Sequence, residues 1–154
     1  MNYPIPQPLQ QEHEALHAEL RNATQAGGAV GDAARALARL MHPHFVKEDE
    51  FALPPLALLQ PLAQGAVTAE MADVLELTDR LATELPTMLA EHKTIVAALE
   101  RLVDEAKRAE RTDIVQFAHK LMLHAQTEEQ VMYPAALLVG RFVRQSMAEA
   151  VPAV

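Results

Sequence analysis

The stretch His44-Phe45-Val46-Lys47-Glu48, with Pro54 six residues beyond its glutamate, occurs again as His124-Ala125-Gln126-Thr127-Glu128, with Pro134 six residues beyond. The offset is 80 for the histidine, the glutamate and the proline alike. A further pair joins them: His13 and His92 lie 79 residues apart, and each follows a glutamate, Glu12 and Glu91. Each HxxxE is also followed by a second acid, Asp49 and Glu129. Residues four apart on a helix share one face, a turn apart, so each HxxxE aims an imidazole and a carboxylate at one point. A packed core has no use for such a duplicated set. A two-ion site with an approximate twofold axis does.

Working outward, the 154 residues are half hydrophobic but only 4% aromatic. Alanine and leucine dominate, which favours helices packed on helices over a sandwich of sheets. Residues 1–8 hold three prolines and read as an extended lead-in. A first helix is predicted from about Leu9 to Ala26, with Leu9, His13, Leu16 and Leu20 on its inner face and Gly27-Gly28 ending it. Asp32 is the expected N-cap of a second helix carrying His44, which Pro54-Pro55 ends or kinks after Glu48. A third is expected from Thr68 to about Ala109 with a kink at Pro86. Thr112 or Asp113 should cap a fourth, bent or ended at Pro134, and a last helical piece should run from about Ala135 to Ala150. No segment alternates with period two for long enough to form a strand. The expected fold is all-α: one antiparallel up-down four-helix bundle domain over residues 9–150 with a short C-terminal helical extension.

Several function classes fall away. The net charge of -8 argues against nucleic acid and against anionic membrane surfaces. Without cysteine there is no disulfide, thiolate ligand or cysteine-held cluster. The start lacks the basic and apolar regions of a signal peptide, and the longest apolar stretch, Phe51 to Leu59, is too short to span a bilayer, so a cytoplasmic protein is expected. What remains is one histidine from each of four helices and a glutamate from two of them. Imidazole nitrogen and carboxylate oxygen suit iron, manganese or zinc. Six donors are too many for one tetrahedral zinc. They fit two ions bridged by two carboxylates, with two terminal histidines on each and positions left open for water, oxo, O2, NO or peroxide.

The pattern H…HxxxE…H…HxxxE, with its acid doublets Glu48-Asp49 and Glu128-Glu129 and its trailing Pro54 and Pro134, resembles the hemerythrin-like (HHE cation-binding) domain over about residues 9 to 145. The resemblance implies a four-helix bundle around a non-haem di-iron centre. It makes His13, His44, His92 and His124 terminal ligands, and Glu48 and Glu128 bridging carboxylates. Oxygen-carrying members have HxxxH on the third helix and HxxxxD on the fourth. Here Val96 follows His92 by four and Glu129 follows His124 by five. The chain is therefore more similar to the four-histidine, two-glutamate members. These include iron–sulfur-cluster repair proteins of the nitrosative and oxidative stress response and an iron-sensing domain of a eukaryotic ubiquitin ligase. The implied function is binding of, or reaction with, O2, NO or peroxide; the alternative is an iron or O2 sensor, or an iron store, without turnover.

Neighbouring residues have plainer readings. His17 shares a face with His13 and is a fifth ligand, a partner of one, or an ordinary surface histidine. His42 and His119 are expected on the surface, and Asp49 and Glu129 on a solvated face from which either could orient a ligand. Tyr133 is core packing with a satisfied hydroxyl, or a hydrogen-bond donor to a bound oxygen species. Met41, Met71, Met88, Met122 and Met132 are expected to fill the core. The apolar segment around Leu137, Leu138, Val139 and Val143 either packs on the bundle or forms a partner surface.

Overall fold

A computed structural model describes residues 2–150, so Met1 of the predicted lead-in lies outside the described residues. Helix α1 spans Gln7–Thr24 and α2 Gly28–Lys47. A π-helical turn, Glu48–Ala52, and a 3-10 turn, Pro54–Leu58, lead into a short helix α3, Leu59–Ala63. After a loop and a 3-10 turn, Ala69–Asp73, helix α4 runs over 35 residues, Val74–Arg108. Helix α5 is Thr112–Thr127; a second π-helical turn, Glu128–Met132, joins it to α6, Tyr133–Ala150. There is no strand among the described residues. No helix among them is long and apolar enough to cross a membrane.

The predicted helices all form, with shifted ends. Helix α1 begins at Gln7 because Pro8 sits in its first turn, where a missing N–H costs nothing. Helix α2 begins at Gly28, so Asp32 is not its N-cap; its carboxylate pairs with Arg35 at 2.5 Å instead. That arginine also donates to the Thr24 carbonyl at 2.7 Å, satisfying an end group of α1 and pinning the turn between the two helices. Arg111, not Thr112 or Asp113, occupies the N-cap position of α5, and Asp113 receives two bonds from its guanidinium at 3.0 and 2.9 Å. Pro86 lies inside α4 without ending it.

The bundle closes as a ring: α1 packs on α2 and α5, and α4 packs on α2, α5 and α6. Two apolar clusters fill it. One gathers Leu16, Leu20, Leu37, Phe45, Ile95, Leu99, Phe117 and Leu121. The other gathers Phe51, Leu53, Leu81, Met88, Met132 and Tyr133. On each long helix the site residue falls between them: His13 ahead of Leu16, His92 between Met88 and Ile95. Met41, Met71, Met88 and Met132 are buried as expected, while Met122 is only partly covered. Val139 and Val143 pack on Val74 and Met71, whereas Leu138 remains exposed.

The two π-helical turns start at Glu48 and Glu128, equivalent positions of the two halves. Each glutamate's carbonyl accepts the N–H five residues on, from Leu53 at 2.9 Å in one half and from Tyr133 in the other. The prolines explain the widening. Pro54 and Pro134 have no N–H for an ordinary turn, and their rings would strike the carbonyls of Glu50 and Gln130. A wider turn relieves that clash. Sequence periodicity did not predict these turns, although the proline at a fixed distance was their signal.

Candidate metal centre

Helices α1, α2, α4 and α5 deliver His13, His44, His92 and His124 to one layer, and the two π-helical turns deliver Glu48 and Glu128. All six side chains are buried, Glu48 completely. The structure thus brings together the four histidines and two glutamates expected as ligands. The histidines meet as two pairs. His13 Nε2 lies 3.0 Å from His124 Nε2, and His44 Nε2 lies 2.8 Å from His92 Nε2.

The carboxylates span the pairs. Glu128 places Oε1 at 2.6 Å from His124 Nε2 and Oε2 at 3.2 Å from His92 Nε2. Glu48 places Oε1 at 3.2 Å from His44 Nε2 and Oε2 at 3.7 Å from His13 Nε2. Two groups with metal-binding spacing result: His44, Glu48, His92 and Glu128 in one, His13, His124 and Glu128 in the other, with Glu128 shared.

A ring of acids fixes the imidazoles from behind. His44 Nδ1 donates to Glu91 at 2.6 Å, His124 Nδ1 to Glu12 at 2.8 Å and His92 Nδ1 to Glu129 at 3.0 Å. His13 Nδ1 lies 3.6 Å from Asp49, an acid one methylene shorter than its counterpart Glu129. An acid on Nδ1 selects the tautomer whose Nε2 lone pair faces inward, the arrangement typical of histidines that hold metals. Two such lone pairs 3 Å apart repel unless a proton or a cation lies between them. Glu48 Oε2 adds to this: it is buried with no hydrogen-bond partner among the described residues. A metal cation in each pair would satisfy both features, so the donor set fits a pair of such ions.

The electrostatics of the protein without metal agree. Burial would push the His44 imidazole down, but the Glu48 hydrogen bond and charge, with Glu91, outweigh it and raise it to about 9. His124 is raised to about 9 against its burial, by Glu128 and Glu12. Burial also acts on Glu128, yet hydrogen bonds from His124, His13 and His92 hold it well below the usual carboxylate range. Glu48 goes the other way, pushed up by burial and by the charge of Glu128. The cluster holds protons where a metal centre would hold cations.

Tyr133 belongs to the same layer, at one side only. Its hydroxyl donates to Glu48 Oε1 at 2.5 Å and lies 3.4 Å from both His44 Nε2 and His92 Nε2. Burial and the charges of Glu48 and Glu128 raise its pKa and keep it a phenol. The equivalent position in the first half, 80 residues earlier, is Leu53. His17 does not join the layer: its ring lies tilted against Phe45, with centroids 4.0 Å apart. His42 and His119 are exposed, as expected. The sequence placed Asp49 and Glu129 on a solvated face from which either could orient a ligand, as Glu129 does for His92, and gave Glu12 and Glu91 no role; the doubled Glu-His pair was the available signal.

A family model for the hemerythrin HHE cation-binding domain matches residues 7–136. Neither the curated proteins nor the solved structures contain a match to the chain.

Proposed function

The chain belongs to the hemerythrin HHE cation-binding family, and on that footing we propose that it carries a non-haem di-iron centre that binds or reacts with O2, NO or peroxide. His13 and His124 would hold one iron and His44 and His92 the other, with Glu48 and Glu128 bridging. Manganese or zinc suits the same donors, so availability would decide occupancy in the cell. The observation that carries the reading is the convergence of four Nε2 lone pairs and two carboxylates, each imidazole backed by an acid. When bound, such a pair supplies Lewis acidity and one-electron redox chemistry to a small molecule. The protein's own part is to orient and to exclude water. The apolar clusters on both sides bury the six ligand side chains, which strengthens the charge interactions among them. Tyr133 offers a proton at its hydroxyl beside the His44–His92 pair, and the first half has no counterpart to it. That inequality supports a centre that handles a small ligand at one position rather than a symmetric store.

The test is to prepare metal-free protein, add Fe(II) without oxygen, count bound iron and record the absorption spectrum on admitting O2. About two iron per chain and a new charge-transfer band are expected. Glu48→Ala and Glu128→Ala should each remove a bridge and sharply lower the iron count. Wild-type iron content in both variants would overturn the assignment.

A further inference from the structure

The two halves of the bundle are not equally closed. Between α4 and α5 a groove of about 500 Å³ runs down to the centre, with His92 and Glu129 at its floor and Val96, Met122, Ala125 and Gln126 in its walls. The equivalent groove between α1 and α2 measures about 230 Å³ and stops short of His13. The difference follows from two substitutions between the halves. Phe45 stands where the second half has Ala125, and His17 where it has Val96. Phe45 lies against both His13, at 5.1 Å between ring centroids, and His17, at 4.0 Å, and so plugs the first groove. Ala125 leaves the second one open.

Charge divides the grooves in the same way. The open groove carries Glu100 and Glu129 against one lysine, Lys93. The plugged one carries Arg21, His17 and His42. A cation is drawn to the first and discouraged from the second, within a chain whose net charge is already -8. At the bottom of the open groove Glu129 is 38% exposed while it accepts the bond from His92 Nδ1 at 3.0 Å. It reaches solvent and a buried imidazole at once.

We infer that the α4–α5 groove is the passage by which a divalent metal ion reaches and leaves the centre, with Glu129 as the part-exposed carboxylate that receives it in the groove and the inward-facing Nε2 of His92 as the first imidazole nitrogen it meets beyond. This rests on the metal-centre reading above, and the experiment separates the two. Zinc is the probe because it has no redox chemistry to confuse the rate. Zn(II)-loaded protein is mixed with an excess of a coloured chelator, and zinc content and transfer rate are measured separately. Ala125→Phe, which rebuilds the plug of the first half, should keep the zinc content and slow transfer by roughly tenfold. Val96→Phe, on the opposite wall, should slow it likewise and covers the case in which Ala125→Phe does not fold. The exchanged variant Phe45→Ala/Ala125→Phe opens the first groove while closing the second, and because that groove carries Arg21, His17 and His42 and no acid, zinc transfer should stay as slow as in Ala125→Phe alone. Full zinc content with wild-type rates in both closed variants would overturn the passage and leave the centre intact. Recovery of the wild-type rate in the exchanged variant would overturn it as well, because any opening would then serve and the acid-lined route past Glu129 would carry nothing special. A wild-type protein that holds no zinc, manganese or iron would overturn both readings.

Discussion

Tyr133 shows how much one hydroxyl can decide in a buried layer. It is the sole neutral donor described on Glu48, and its loss would leave Oε1 with only the imidazole of His44. Removing the partner of a buried polar group costs about 1–3 kcal/mol. Tyr133→Phe should therefore lower the stability of the metal-free protein by about that amount while leaving the iron count unchanged. Chemical denaturation with metal chelated would measure the first, and metal analysis of the loaded protein the second; an unchanged unfolding free energy would show that the bond carries nothing. At this scale the sequence was most legible for the six central residues, because a repeated HxxxE is local and periodic. Asp49 and Glu129 were legible as acids that could orient a ligand, whereas Glu12 and Glu91 were visible only as neighbours in sequence. Glu12 reaches His124, and Glu91 reaches His44, across helices that only the fold brings together.

The helices were readable from leucine and alanine spacing and their breaks from Gly27-Gly28, Pro54 and Pro134, whereas the caps and the form of the turns were not. Asp32 has the chemistry of an N-cap, yet helix α2 extends back to Gly28, and tertiary contact of Arg35 with the end of α1 outweighs local preference. A π-helical turn of five residues is too short to alter a hydrophobic period, so both escaped notice despite the prolines that mark them. Helices α4 and α6 pack closely where Gly140 of α6 meets Thr78 of α4. A Cβ on Gly140 would fall 2.2 Å from Thr78 Oγ1 and 2.7 Å from its Cβ. In an open helix, alanine would gain about 1 kcal/mol over glycine. Here the helices must part, which costs about 1–3 kcal/mol and sets the sign. Gly140→Ala should lower the melting temperature; a rise would mean that α4 and α6 have room to separate.

For the molecule as a whole, metal and protons compete for one layer, and stability should register the contest. In the metal-free protein His44 and His124 sit at about 9 instead of their usual 6.5. Their contribution is therefore complete below about 6.5 and is lost as pH rises through about 9. Glu128, held low, contributes above the ordinary carboxylate range and loses that as pH falls through its depressed value. The loaded protein should behave oppositely in the upper window, since metal requires the inward nitrogens free of protons and is released as pH falls. Melting curves with and without iron between about pH 6 and pH 9 should diverge as pH rises; parallel curves would mean that metal and protons do not share these sites. The pairing of histidines has one more consequence. Each pair draws one member from the first half of the chain and one from the second: His13 with His124, His92 with His44. The acids Glu12 and Glu91 cross the same divide. The connection between the halves runs through exposed residues around Gly65. Severed there, the two pieces would each carry half of a binding site and an uncovered apolar face. They should reassemble on adding metal and come apart on chelation, a split protein whose glue is an ion.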